Sequence, residues 1–403
     1  LSSASFLQQA RAAAARRDWD GASHHYRSAL ALQPGNGELL LQLSLMESQA
    51  GRYRLAQDHA LEAVRQLPID PKAVLAVASR LRAFNQGEAL LAYLRHFLPV
   101  QRMSLPLLLG FAAQLSYLNL QERALELLDE AWRADPDYPP TLASRAQVLI
   151  YLGRFDAARL DLEHCLHRAP ELGQAWWLLA RLSSQADASW QVDALHRQLA
   201  GRKAAPRDIA FLQSALHQHL DRLGDHGAAW HAMEAANAVM RDQVRHDPAQ
   251  TQRLFDALIA RRPRADVAAA PASTRVPIFI VGLHRSGTTL LEQLLDGHDD
   301  VQGIGELYDF TSQLRWASDY HCRGVLDQVV VERSTQLDMD MVGSGYQRGL
   351  EWRLGKAGHF TDKLPSNLLN VGLICEALPQ AKILRMVRDP VETCFSNLRE
   401  LFS

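Results

Sequence analysis

From residue 1 to about 170 the sequence repeats itself every 34 residues, and few patterns restrict a fold more tightly. Ala22, Ala56, Ala124 and Ala158 share one column; Tyr26, Ala60, Leu128 and Leu162 share the next. Ala29, Ala63, Ala131 and Cys165 form a third, and Pro34, Pro68, Pro136 and Pro170 close the unit. The three columns fall at i, i+4 and i+7, which is one face of a helix. Small residues on that face let two antiparallel helices approach closely, and the proline ends the second helix. Such a pair cannot bury its apolar face alone, so it must stack on its neighbours. The unit at 71–104 is degenerate, with Leu90, Leu94 and Phe97 in the columns and its proline displaced to Pro99. Past Pro170 the repeat weakens but stays helical, with pairs expected at 174–182 and 189–199, then at 207–223 and 227–244.

This pattern resembles the tetratricopeptide repeat. The resemblance implies an α-solenoid over residues 1–260, a right-handed superhelix with a concave inner face. Such an array either serves structure alone or holds a peptide or protein in its groove; the large concave surface favours the groove. Residues 261–275 are rich in Pro and Ala without periodicity, and they read as a linker.

After the linker the composition changes to strand–helix alternation. An apolar run at 278–281 predicts a buried strand that opens into a Gly-rich turn and then a helix. That arrangement aims backbone N–H groups and the positive end of a helix at one point, a seat for phosphate. Gly282 and Gly287 have the spacing of a nucleoside-triphosphatase loop, but Thr288 stands where that loop needs its lysine. The cation comes earlier, at Arg285, which argues against an ATPase or a P-loop kinase. The blander alternative is a turn that merely caps a helix through Ser286 or Thr288. Strands are expected at 278–282, near 301–304, near 359–361 and at 382–387. Helices are expected at 288–296, 366–378 and 390–402, the last with no C-cap signal, and a polar helical insertion around 307–353. The alternation implies an α/β domain over 276–403 with a parallel sheet covered on both faces. Ligands on such sheets sit at the carboxyl ends of strands, where the 282–289 loop, Glu306, Lys363 and Arg388 all fall.

The segment His-Arg-Ser-Gly-Thr-Thr, residues 284–289, resembles the 5′-phosphosulfate-binding loop of sulfotransferases, above all tyrosylprotein sulfotransferases and their bacterial relatives. Three further segments follow in that family's order: Gly305-Glu306, residues 361–365 (Thr-Asp-Lys-Leu-Pro), and 387–390 (Val-Arg-Asp-Pro) running on to Ser396. The resemblance implies 3′-phosphoadenylyl sulfate as donor and 3′,5′-phosphoadenosine as product. Arg285 would then hold the 5′ end with the amides of Ser286, Gly287, Thr288 and Thr289, while Arg388 and Ser396 grip the 3′-phosphate. Glu306 becomes the general base and Lys363 the cation at the leaving phosphate, with a hydroxyl on a peptide, sugar or lipid-linked group as acceptor. His298, His321 and His359 keep a histidine base open. Tyr308 stands where tyrosine-specific members carry arginine, which weakens the case for a tyrosine peptide. Sulfotransferases also continue past the 3′-phosphate motif, so helices and loops beyond Ser403 are expected. The alternative from another class is a nucleotide-binding scaffold without turnover, which has no physical need for both Glu306 and Lys363.

Composition bounds the rest. A chain of 403 residues, 47% hydrophobic, should divide into more than one domain. A net charge of −2 provides no basic field for nucleic acid. Four scattered cysteines, Cys165, Cys322, Cys375 and Cys394, fit reduced thiols and a cytoplasmic setting. No apolar run approaches the ~20 residues of a membrane helix, and the start has no signal-like core. His24-His25 and the His217/His219 pair lack a completing Cys or carboxylate cluster, so no metal is expected.

Overall fold

A computed structural model describes residues 2–66, 70–201, 205–243, 246–262 and 275–401. Pro68 and most of the expected linker lie outside the described residues. Two compact units result, Leu1–Leu98 with Pro248–Arg388 and Pro99–Asp247 with Asp389–Ser403. This division cuts across the segments 1–260 and 276–403 that the sequence suggests.

The first unit begins with helices Ser3–Ala15, Trp19–Leu32, Gly37–Gln49, Tyr53–Arg65, Pro71–Ala83 and Gly87–Arg95. The column residues Ala22, Ala29, Ala56, Ala60, Ala63 and Leu90 are wholly buried, as close helix approach demands. Asp18, Asn36 and Asp70 cap their helices by accepting from backbone amides, at 2.9 Å from Gly21 and Ala73 and 3.0 Å from Glu38.

The same unit holds a four-stranded parallel sheet in the order β2-β3-β1-β4, where β1 is Val276–Gly282, β2 Val301–Gly303, β3 His359–Asp362 and β4 Lys382–Met386. Central β1 is buried almost throughout, as its unbroken apolar run requires. The helix Thr288–Asp296 matches the expected 288–296; the expected 366–378 becomes a 3-10 turn, Pro365–Asn370, and a short helix, Val371–Ala377.

The stretch around 307–353 is helical, as Asp309–Ser318, Gln328–Arg333 and Met339–Leu350, but it is not the polar insertion expected. Its Leu307, Phe310, Leu314, Val330, Val342 and Tyr346 join Phe279, Phe360 and Ile374 in one core. Helix Pro248–Ala260 also packs there, through Leu254, Ala257 and Leu258. Arg261, read from sequence as linker, makes a bidentate pair with Glu376 at 2.7 Å and donates to Ser334 Oγ at 2.8 Å.

The second repeat, together with Phe84 of the unit that follows it, grips helix Asp309–Ser318. The Tyr53 hydroxyl meets Ser312 Oγ at 3.2 Å, and that hydroxyl lies 3.3 Å from the Phe84 carbonyl. Arg54 donates to the carbonyls of Trp316 and Ala317, each at 2.8 Å, while its amide reaches Asp319 at 2.9 Å. His321 fills the space between, with ring centroids 5.2 Å from Tyr53 and 5.7 Å from Phe84.

In the second unit, helices Leu105–Tyr117, Gln121–Ala134, Pro139–Tyr151, Phe155–Arg168, Gly173–Leu182, Gln185–Gly201, Pro206–Arg222 and His226–Gln243 continue the helix pairs. Ala124, Ala131, Ala158, Leu162 and Cys165 are buried in their columns. Arg145 ties three consecutive helices, donating to Asp129 at 2.7 Å and to both oxygens of Asp161 at 2.9 Å. The final helix, Pro390–Leu398, stops four residues short of the expected 402 and belongs to this unit. It is held by Arg399 on Asp221 at 2.8 Å and Asn237 on the Leu398 carbonyl at 2.8 Å.

Among the described residues no helix is long and apolar enough to cross a membrane.

Candidate active site

β1 ends at Gly282, where φ is 154°. A Cβ there would stand 2.6 Å from the Met386 carbonyl, so the neighbouring strand admits only glycine. Arg285 (φ 67°) and Gly287 (φ 102°) also take left-handed conformations. For a non-glycine residue such a conformation costs about 1–2 kcal/mol, strain of the kind that collects at ligand sites. Ser286 is buried, and its amide (3.2 Å) and hydroxyl (2.7 Å) both donate to the Leu283 carbonyl. Its donors therefore shape the loop. The helix then begins at Thr288, and the amides of its first turn have no intrahelical acceptors. Thr288 is buried, while Thr289 and Arg285 are exposed.

Two more turns lie at the carboxyl ends of β2 and β3. Gly305 (φ 77°) precedes Glu306, and its carbonyl accepts from the Lys363 amide at 3.0 Å. Lys363 Nζ donates to Glu306 Oε1 at 2.7 Å. The lysine side chain is only 7% exposed and the glutamate 45%, so the cation is enclosed and the carboxylate can be reached from solvent. Beside them, Asp362 is fully buried, accepting from the Tyr346 hydroxyl at 3.0 Å and from Asn367 at 3.3 Å. Burial holds its carboxyl well above the usual carboxylate range, with those two hydrogen bonds pulling the other way.

The sequence missed Glu292, which no spacing rule marks, and Thr361 opens the 361–365 segment without a role of its own there. Glu292, on the helix of the phosphate-type loop, is buried and accepts from the Gly305 amide at 2.9 Å and the Thr361 hydroxyl at 2.8 Å. Burial raises its pKa, offset by Thr361, the Lys363 charge and Gly305.

The three candidate histidines lie elsewhere. His359 opens β3 at its amino end and contacts Asp300 at 3.0 Å; His298 precedes β2 and accepts from the Asp300 amide at 3.1 Å. His321 packs between Tyr53 and Phe84. Tyr308 stands at the N-cap of Asp309–Ser318. Arg388 closes the first unit just past β4, with Nη1 3.5 Å from the Arg285 carbonyl, whereas Ser396 lies on the last helix of the second unit.

Residues 277–403 match the model of the sulfotransferase family. The chain is 24% identical over 429 residues to an uncharacterized protein of Aquifex aeolicus, an alignment covering 91% of this chain and 55% of that protein. Over 113 residues it is 31% identical to a putative protein-tyrosine sulfotransferase of Caenorhabditis briggsae, covering 28% of this chain and 39% of that one. The chain thus spans about half, or less, of the curated relatives it matches. Similar solved structures include a tetratricopeptide repeat protein from Parabacteroides merdae, with 14% identity, TM-score 0.40, and coverage of 59% of this chain and 93% of that one. Another is the MamA RS-1 ArsTM double mutant, with 19% identity, TM-score 0.34, and coverage of 45% and 99%.

Proposed function

We propose that this chain moves a sulfuryl group from 3′-phosphoadenylyl sulfate to an acceptor hydroxyl. The observation that carries the proposal is the Glu306–Lys363 pair, 2.7 Å apart, one strand end away from a phosphate-type loop that lacks the triphosphatase lysine. The family model over the same residues supports it. The loop suits the anionic end of such a nucleotide: the first amides of Thr288–Asp296 have no intrahelical acceptors, and Arg285 stands on an exposed turn.

A bound 3′-phosphoadenylyl sulfate supplies the sulfuryl group on a phosphate leaving group. In this proposal the chain's own residues do the rest. Arg285 and the free amides at the start of Thr288–Asp296 hold negative charge at the loop. Glu306 takes the proton of the attacking hydroxyl, a task its exposure permits. The Lys363 ammonium counters charge on the phosphate oxygen that the sulfuryl group leaves. Arg388 is assigned to the 3′-phosphate by family resemblance. For the repeats we infer a peptide or protein ligand, supported by the exposed aromatic rings of Tyr117, Tyr151, Phe155 and Trp190.

Binding of the product nucleotide is the decisive test. Calorimetry should show 3′,5′-phosphoadenosine binding much more tightly than AMP, which lacks the second phosphate. At a ligand level ~100 times its Kd, the protein should gain about 2.7 kcal/mol of stability. Equal affinity for the two nucleotides would remove the 3′-phosphate assignment.

A further inference from the structure

Glu292 stands one helical turn past Thr288, on the helix whose N-terminus forms the proposed anion seat. A carboxyl group 4% exposed is costly to bury unless its oxygens are paired. Its Oε1 takes both donors described for it, the Gly305 amide at 2.9 Å and the Thr361 hydroxyl at 2.8 Å. Gly305 is the residue before Glu306, and Thr361 lies two before Lys363 on β3. A third contact closes the ring, because the Lys363 amide donates to the Gly305 carbonyl at 3.0 Å. The reacting pair itself spans 2.7 Å. One carboxyl thus joins the phosphate-loop helix to the turn bearing the proposed base and to the strand bearing the proposed cation. A leucine at 292 would leave the Gly305 amide and the buried Thr361 hydroxyl without this acceptor.

We propose that Glu292 is a positioning residue, which sets Glu306 and Lys363 at a fixed distance from the helix N-terminus where the phosphosulfate end is held. This rests on the sulfuryl-transfer proposal above. Misplacing reacting groups by about 1 Å costs on the order of 100-fold in rate while leaving ground-state binding largely intact. Both donors reach the single oxygen Oε1, so an amide at 292 could keep them, whereas Glu292→Leu removes the acceptor altogether.

The experiment uses the full chain as wild type, Glu292→Leu and Thr361→Val, with three readouts. Calorimetry measures 3′,5′-phosphoadenosine affinity. Turnover is release of that nucleotide from 3′-phosphoadenylyl sulfate with water as acceptor. Hydrogen exchange is followed in peptides spanning 303–308 and 359–364. Glu292→Leu should bind 3′,5′-phosphoadenosine within ~3-fold of wild type, lose turnover by ~10- to 100-fold, and exchange faster in both peptides. Thr361→Val, which removes one donor only, should show the same pattern more weakly. Wild-type turnover in Glu292→Leu, or faster exchange in just one of the two peptides, overturns the proposal. Should Glu292→Leu fail to fold, Thr361→Val decides: unchanged turnover and exchange there overturn it as well. Failure of the wild type to bind the nucleotide would instead bring down the sulfuryl-transfer proposal, while the exchange data still report whether Glu292 braces both turns.

Discussion

At the scale of single residues, the site combines positions the sequence displays with positions only the fold reveals. Arg285 stands out because it follows the apolar run of β1 in a turn, where side chains serve ligands more often than packing; Glu306 and Lys363 stand out through the family-like segments that hold them. Their proposed roles make separable predictions. Glu306→Gln should keep 3′,5′-phosphoadenosine affinity and lose turnover by ~100- to 10,000-fold. Lys363→Ala should also lose turnover, by removing charge from the developing oxyanion. Normal turnover by Glu306→Gln would transfer the base assignment to another residue. Glu292 and Asp362 were illegible for a common reason. A carboxylate on an amphipathic helix, or beside a lysine, reads as a solvated charge; only the chain passing overhead turns it into a buried acceptor. Ser286 shows the reverse: its place in the loop motif suggests a ligand contact, yet its amide and hydroxyl both go to Leu283.

At the scale of elements, the four strands fall within about two residues of their expected positions; for β1 a continuous apolar run ending in glycine leaves little freedom. The helices around 307–353 were harder. Their buried residues are interleaved with exposed charges, and each short helix offers too few turns for a period to emerge. Nothing in their composition shows that the second repeat will grip Asp309–Ser318. That grip has a pH signature. Burial, reinforced by Arg315 and Arg80, lowers the His321 pKa to about 4. In the unfolded chain this imidazole titrates near its ordinary value of about 6.5. The unfolded state therefore binds more protons between those limits, and His321 contributes stability at neutral pH that is lost as pH falls from about 6.5 to 4. Replacing His321 with Gln should flatten the Tm-versus-pH curve in that window, even if the variant is less stable throughout. An unchanged slope would mean the ring is not held neutral between Tyr53 and Phe84.

At the scale of the whole molecule, a single period spans repeats that the fold assigns to different units. The 34-residue columns report helix pairing within and between neighbours, and Ala56 and Ala124 satisfy them equally. They are silent about the outer faces of the helices, where Tyr53 and Arg54 engage Ser312, Trp316 and Asp319. Fragments can measure how much those faces matter. Residues 99–247 keep the Arg145 clamp and all their buried columns, so this fragment should be mostly helical and melt cooperatively. Residues 1–98 alone would expose the Tyr53 and Phe84 rings and leave the Arg54 guanidinium without its two carbonyls. That fragment should melt at a lower temperature and more broadly. A 1–260 fragment should then be helical but unfold in two steps, the first repeats before the rest, by circular dichroism. A single sharp transition at the temperature of the full chain would show that the repeats stand without the α/β core. In that case the grip on Asp309–Ser318 would contribute little to holding residues 1–98 together.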